Sequence, residues 1–135
     1  MEFVVTVKRN YPVKKRNKMN YSSEIKDEVM VLSIDGDLIG DNDEVQLIEE
    51  ITSHIANNIL LCAIDISAIR FINSSGIGIL ITILTKFRNK GGEVMLVKPS
   101  DQVKKLLIIT KLNSIFTVVE DEETAISQLK NNLVK

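Results

Sequence analysis

Apolar and polar residues follow two rhythms along this chain, one typical of β-strands and one typical of α-helices. Between residues 22 and 36 the apolar residues recur with the alternation of strands, and the polar residues 26–28 interrupt them at a turn. This pattern predicts a hairpin of two strands. Apolar residues at helical spacing then predict an amphipathic helix over 43–57, and Asp41 followed by Glu44 resembles a capping box at its start.

Strands and helices continue to alternate through the rest of the chain. The continuous apolar run 59–66 is typical of a strand that is covered on both faces of a sheet. The elements predicted after it are a helix over 75–90, a strand over 93–97, a helix over 101–111 capped by Pro99 and Ser100, a strand over 115–119, and a helix over 121–133. The order β-β-α-β-α-β-α-β-α predicts a single α/β domain, in which about four helices pack against a mostly parallel or mixed sheet of about five strands.

A short basic segment precedes an acidic body. Residues 1–18 contain six Lys or Arg and one Glu, a net charge of +5, and the whole chain carries −1, so residues 19–135 carry −6. We interpret 1–18 as a basic tail, disordered or non-native, and 19–135 as the domain. Val4, Val5 and Val7 could still add an edge strand from this tail.

The composition excludes several classes of function for the domain. An acidic body with two Tyr, four Phe and no Trp lacks the basic surface and the stacking side chains that nucleic-acid binding needs. The longest nearly apolar stretch, residues 77–84, is far shorter than the ~20 residues of a membrane span, and the N-terminus has no secretory pattern. The single cysteine, Cys62, lies in an apolar run and is expected to be buried. Without a disulfide, a reducing cytoplasm is the expected compartment.

No catalytic or metal-binding constellation is evident. His54 is the only histidine and has no second ligand at metal spacing. Gly76 and Gly78 are not followed by the third glycine of a dinucleotide fingerprint, and Ser74 does not lie in the Gly-x-Ser-x-Gly sequence of a nucleophile elbow. We therefore expect a protein that is not an enzyme and that holds neither a metal nor a cofactor.

One segment carries a functional signal, the pair Ser74-Ser75 followed by Gly76. It opens the second predicted helix, after a buried strand that is predicted to end at Asp65. Hydroxyls at that point can accept hydrogen bonds from the unpaired amides of the first helical turn, so plain helix capping is one explanation of the pair. The same amides and the helix dipole favour an anion, so a phosphoserine would add a charge of about −1.5 to −2 without unfolding the helix.

The run from Ile64 to Leu80 resembles the central motif of STAS domains, in the branch of the anti-sigma factor antagonists. In that family a strand ending in Asp-x-Ser leads through an apolar turn to Asp-Ser-Ser-Gly-hydrophobic-Gly. The corresponding residues here are Asp65-Ile66-Ser67 and Asn73-Ser74-Ser75-Gly76-Ile77-Gly78. The resemblance covers about residues 20–133, and the order of predicted elements agrees with the fold that it implies.

By this resemblance the phosphorylated serine of the family corresponds to Ser74. The residues taken as neighbours of this switch are Asn73, Ser75, Gly76, Asp65 and Asp37. The chain departs from the family at two positions, because Asn73 and Ile39 replace residues that are usually acidic. Both changes remove negative charge near the site. The carboxylates that would compensate in part are Asp37, Asp41 and Asp43.

The second predicted helix also offers a surface for a partner. At 100° per residue, the face predicted to fill the core holds Ile77, Leu80, Ile81 and Leu84. Ile79 and Ile83 lie on the opposite side, and together with Gly78 they are the predicted partner-binding residues. The alternative is that Ile79 and Ile83 are core residues covered by a neighbouring helix. The sequence leaves open whether two copies form a homodimer through this face.

The resemblance implies a binding protein that is switched by phosphorylation. The dephosphorylated form would bind an anti-sigma factor and so release a sigma factor. In this family the anti-sigma factor is often an ATP-dependent serine kinase, which would phosphorylate Ser74, and a phosphatase would reset the switch; ATP would belong to the partner. The alternative is a STAS adaptor subunit of a transporter or sensory complex that works without phosphorylation. A small hydrolase that uses Ser74 is a far weaker hypothesis.

Overall fold

The structure, a computed structural model, describes residues 6–9, 19–40 and 43–134. Its strands are β1 (Thr6–Arg9), β2 (Met19–Lys26), β3 (Val29–Leu38), β4 (Leu61–Ile72), β5 (Glu93–Val97) and β6 (Thr117–Val119). Its helices are α1 (Asp43–Ala56), α2 (Ser74–Arg88), α3 (Asp101–Ile109) and α4 (Glu122–Val134), and a single 3-10 turn covers Leu112–Ser114.

The six strands form one mixed sheet in which spatial order follows chain order. β1, β2 and β3 pair antiparallel, whereas β3, β4, β5 and β6 run parallel to one another. Parallel strands need a crossover, and α1, α2 and α3 supply the three crossovers. The carboxyl ends of β3 and β4 therefore meet at the same edge of the sheet, where α2 begins.

Both faces of the sheet are covered, which explains the continuous apolar run in β4. On one face, apolar residues of α1, α2 and α3 pack against the sheet in the larger core. On the other face, Ala125 and Leu129 of α4 pack against residues of β3 to β6 in a smaller core. Within β4, Ile64 and Ile66 face the first core while Leu61 and Ala63 face the second.

The α/β fold and the predicted order of elements are confirmed, and two differences are larger than a shift of a few residues at the end of an element. Four residues of the predicted tail, 6–9, form the edge strand β1. The remainder of residues 1–18, with Val4 and Val5, lies outside the described residues, so the division of the chain at residue 18 stays a prediction. The second difference is in β4, which continues to Ile72 instead of ending near Asp65.

Two irregularities let β4 continue past the polar residues that suggested its end. The pairing of β3 with β4 shifts between Ser33 and Asp35 and again between Gly36 and Asp37. At the first shift, the Asp65 carboxylate accepts hydrogen bonds from the amide and the hydroxyl of Ser67, at 2.9 and 2.7 Å. Such bulges insert extra residues into one strand and bend it. The polar segment is thus part of the strand.

The single cysteine supplies a direct test of core burial. Cys62 is fully buried in β4, and burial raises the pKa of its thiol because the thiolate is poorly solvated there. We expect an aromatic disulfide reagent at pH 8 to leave the folded protein unlabelled and to label one thiol per chain in urea. Rapid labelling of the folded protein would show that β4 is not in the core.

Candidate functional site: a serine pair at the start of α2

The start of α2 is built from the last residues of β3 and β4. Leu38 pairs with Ile72, and the next residue, Asn73, is the N-cap of the helix with extended backbone angles of φ −117° and ψ −172°. The Asn73 side-chain oxygen accepts a hydrogen bond from the amide of Gly76 at 2.9 Å. An asparagine N-cap satisfies one of the amides that a helix leaves unpaired at its start. Capping is therefore performed by Asn73 and not by either serine.

Gly76 lies at the closest approach between α2 and the sheet. A Cβ atom at this position would overlap the carbonyl oxygen of Leu38, which also accepts a hydrogen bond from the Asn73 amide at 3.4 Å. Only glycine fits between helix and strand at that distance. This contact turns the side of α2 that contains Gly76 toward the sheet.

Ser74 and Ser75 are both exposed. Gly40, in the turn after β3, has a φ of +83° and faces Ser75, so that a Cβ atom on Gly40 would lie 2.6 Å from the Ser75 Cβ. The amide of Gly40 donates to the Glu44 carboxylate at 2.9 Å, which fixes this turn against α1. The predicted partner of Glu44 in a capping box, Asp41, lies outside the described residues. Ser75 thus lies against Gly40.

The electrostatics at this helix end favour an added anion. The first turn of α2 contains no acidic side chain, so the positive end of the helix dipole faces no compensating carboxylate within the helix. Asp37 is buried beside the site, and its carboxylate accepts a hydrogen bond from Arg70 Nε at 3.1 Å and forms an ion pair with Arg70 Nη2 at 3.0 Å. This ion pair neutralises one carboxylate beside the site, and a second described carboxylate, that of Glu44, accepts a hydrogen bond from the Gly40 amide next to Ser75.

Asp65 is not a neighbour of the serine pair, which corrects one expectation. Asp65 pairs with Ser33 and Ile72 pairs with Leu38, five residues further along β3. At ~3.3 Å per residue these positions are about 16 Å apart, with Asn73 still to follow. Its contacts with Ser67 give Asp65 a structural role in the bulge.

The prediction that Ile83 lies on the partner-binding face of α2 was wrong. Its side chain is fully buried, so it can contribute neither to a partner surface nor to a dimer contact, and Ile79 is partly buried against the same core. The residues of α2 that are buried are Gly76, Leu80, Ile83, Leu84 and Phe87. The approach at Gly76 sets this rotation. Gly78 is exposed as expected, and Ile81, assigned to the core from the sequence, is 36% exposed.

The sequence alone did not indicate three residues of this site. Arg70 is the residue that β4 inserts opposite Gly36 and Asp37, and a lone arginine in a strand carries no signal for a bulge. Phe71, adjacent to it, is exposed although it is apolar. Gly40 could have been suspected, because a glycine between a strand and a helix often marks a positive φ.

His54 and the remaining polar candidates lie elsewhere. His54 Nε2 is 3.6 Å from the Glu50 carboxylate, which also accepts a hydrogen bond from Ser23, and these residues lie between α1 and β2. Among the described residues, no group of three or more His, Cys, Asp or Glu is placed to hold a metal ion. The serine pair is therefore the candidate site.

The family model for the STAS domain matches residues 20–125. The chain belongs to the STAS domain family. This match spans β2 to α4 and includes the serine pair. In the described part of this STAS domain, no helix has the length and apolarity to cross a membrane.

Solved structures with this STAS fold include anti-sigma factor antagonists. An antagonist from Mycobacterium paratuberculosis matches with a TM-score of 0.71 and 21% identity, over 87% of this chain and 99% of that one. The antagonist SpoIIAA in its unphosphorylated form matches with a TM-score of 0.67 and 22% identity, over 79% and 92% of the two chains. Phosphorylated SpoIIAA of Bacillus matches with a TM-score of 0.61 and 21% identity, over 77% and 93%.

The same fold also occurs inside a transporter. The murine anion transporter Slc26a9 matches with a TM-score of 0.64 and 16% identity, over 77% of this chain and 18% of that one. At these identities the likeness to each solved structure establishes the fold. The function of this chain has to be argued from the site.

Two glycines of α2 form a matched pair for testing the site geometry. Gly76→Ala should destabilise the fold by about 1–3 kcal/mol, because the new methyl group overlaps the Leu38 carbonyl. Gly78→Ala should stabilise it by about 0.5–1 kcal/mol, because no atom lies within 4 Å of the new Cβ and alanine favours the helix. Urea unfolding of both variants measures the difference. Equal effects of the two substitutions would contradict the close approach at Gly76.

Proposed function

We propose that this STAS domain is an anti-sigma factor antagonist whose binding is switched off by phosphorylation of Ser74. The observation that carries the proposal is an exposed serine at a helix N-terminus that the adjacent residue, Asn73, already caps. Ser74 is therefore free for modification without loss of the cap. The structures of antagonists with the same fold, including SpoIIAA with and without phosphate, support this assignment.

Phosphorylation would act through charge and not through unfolding. The amides of the first turn of α2 and the helix dipole favour the phosphate, and the neutral Asn73 and the paired Asp37 do not oppose it. The same phosphate adds a charge of about −1.5 to −2 to the surface that meets the partner. A partner surface that fits the neutral serine would then have to bury an uncompensated charge, which is costly.

The partner surface that the structure supports lies along the exposed side of α2. Ser74, Gly78 and Ile81 are exposed on this helix, and Ile81 is an apolar contact that the core does not use. Gly78 leaves open space above the helix backbone, where a partner could approach closely. A glycine inside a helix lowers helix stability relative to alanine. Because Gly78 has no packing contact that requires a glycine, its presence favours a role in binding.

The partners of the domain would be an anti-sigma factor and a phosphatase. The anti-sigma factor would be the serine kinase that modifies Ser74 and would supply the ATP, and a phosphatase would remove the phosphate. Binding of the unmodified protein would release the sigma factor, in the cytoplasm. The protein would act without catalysis of its own, since the serine has no described histidine beside it to act as a base.

The switch can be tested with a charge placed at the site and the same charge placed elsewhere. Ser74→Asp should reduce retention of the anti-sigma factor at least tenfold, because an uncompensated charge enters the interface. Ser127→Asp serves as the control, since Ser127 is exposed on α4, across the sheet from α2. The measurement is a pull-down from the native host's lysate with quantitative mass spectrometry, and the thermal midpoints of both variants should stay within a few degrees of the wild type.

Two results would count against the proposal. Equal retention of the anti-sigma factor by wild type and Ser74→Asp would remove the phosphoswitch. Capture of the same transporter or scaffold subunits by all three baits would identify a constitutive STAS adaptor, in which the serines have no switching role.

A further inference from the structure

The last turn of α3 carries the most exposed large apolar side chains of the described residues. Ile109 is 76% exposed and Ile108 is 61% exposed, and Ile115 beyond the 3-10 turn is 38% exposed. Ile108 and Ile109 are adjacent in a helix, so their side chains diverge by about 100° and protrude on both sides of the helix end. These three isoleucines, which we term the α3 apolar tip, are exposed apolar side chains that the core does not use.

The segment that carries the α3 apolar tip contains charges of one sign, and the carboxylates near it, Glu93 and Glu120, are paired with Arg88 and Lys104. Residues 102–119 contain three lysines and no carboxylate, in a body that is otherwise acidic. Lys105 and Lys111 are exposed and form no ion pair with any described residue, whereas Lys104 lies 3.6 Å from Glu120. Lysines with long apolar stems can lie along an apolar surface while the ammonium groups reach an anionic partner.

The tip lies at the end of the domain away from Ser74. Arg88, the last residue of α2, donates a hydrogen bond from Nη2 to the Ile115 carbonyl at 3.1 Å, and it pairs with Glu93 at 2.9 Å. α2 has 15 residues and begins at Ser74, so at ~1.5 Å per residue this contact is about 22 Å from the serine. A ligand at the α3 apolar tip would therefore leave the start of α2 accessible.

The chemistry of the tip favours an anionic lipid surface over other occupants. Protein interfaces are enriched in aromatic side chains and depleted in lysine, and the aromatic residue of this segment, Phe116, is buried. Without exposed aromatic side chains the tip also lacks a platform for stacking nucleobases. A second copy would bring lysines of the same sign together. Aliphatic side chains that insert between lipids, flanked by lysines that meet anionic headgroups, match the pattern present.

We propose that the α3 apolar tip and the flanking Lys105 and Lys111 form a reversible docking site for an anionic lipid bilayer. Ile108 and Ile109 would insert at the boundary between headgroups and acyl chains, and the two lysines would lie at the phosphate level. The domain would then be held at a membrane surface with Ser74 directed away from it.

The test is flotation of the full chain with vesicles of equal parts phosphatidylglycerol and phosphatidylcholine, compared with vesicles of phosphatidylcholine alone. Wild type should bind the anionic vesicles only, and added salt should weaken binding because exposed charges are screened. Ile108→Gln with Ile109→Gln should weaken partition about tenfold, because the inserted apolar area is lost. Val45→Gln is the matched control, since Val45 is 57% exposed on α1.

Comparison with the control separates binding by the tip from binding by the basic segment 1–18, which every variant retains and whose net charge of +5 would attract anionic vesicles. Equal partition of wild type, the double variant and Val45→Gln would overturn the proposal and assign any binding to that segment. Absence of wild-type binding to the anionic vesicles would also overturn it. Circular dichroism should show the same helix content for all three proteins, because the substituted side chains are exposed.

Discussion

The close contact between Gly76 and the Leu38 carbonyl determines the geometry of the site on which the proposed switch depends. Because α2 meets β3 without any intervening side chain, the end of β3, the cap residue Asn73 and the first turn of the helix form one rigid corner. The contact also sets the rotation of α2 about its axis. The residues on the same side of the helix as Gly76, from Leu80 to Phe87, form the buried face, and Ser74 is exposed.

This arrangement separates the structural role of the helix start from its proposed regulatory role. The hydrogen bond that caps α2 comes from Asn73, so a change at Ser74 leaves the cap in place. The ion pair between Asp37 and Arg70 keeps the strand ends neutral, and the first helical turn has no carboxylate. The phosphate would then be the dominant charge at this corner, and the difference between the two states of the protein would be almost entirely electrostatic.

The fold could be predicted from the sequence because its strands and helices have strong and different periodicities. The start of α2 could also be located, since the serine pair and Gly76 follow a buried strand. The buried face of α2 could not be predicted, because isoleucines lie on most sides of the helix. Only the tertiary contact at Gly76 determines which of them are buried. Ile83 was therefore assigned to the surface and Ile81 to the core, the reverse of what the packing requires.

The position of Asp65 relative to the serine pair was predicted wrongly for a different reason. Asp-x-Ser after an apolar run indicates a turn in sequence terms, because Asp and Ser compete with strand pairing through local hydrogen bonds. In the structure the same local hydrogen bonds form inside a bulge, and β4 continues to Ile72. The continuation carries the chain about 16 Å further along β3 before α2 begins. The bulges therefore place the serine at the end of a strand pair that extends beyond β5.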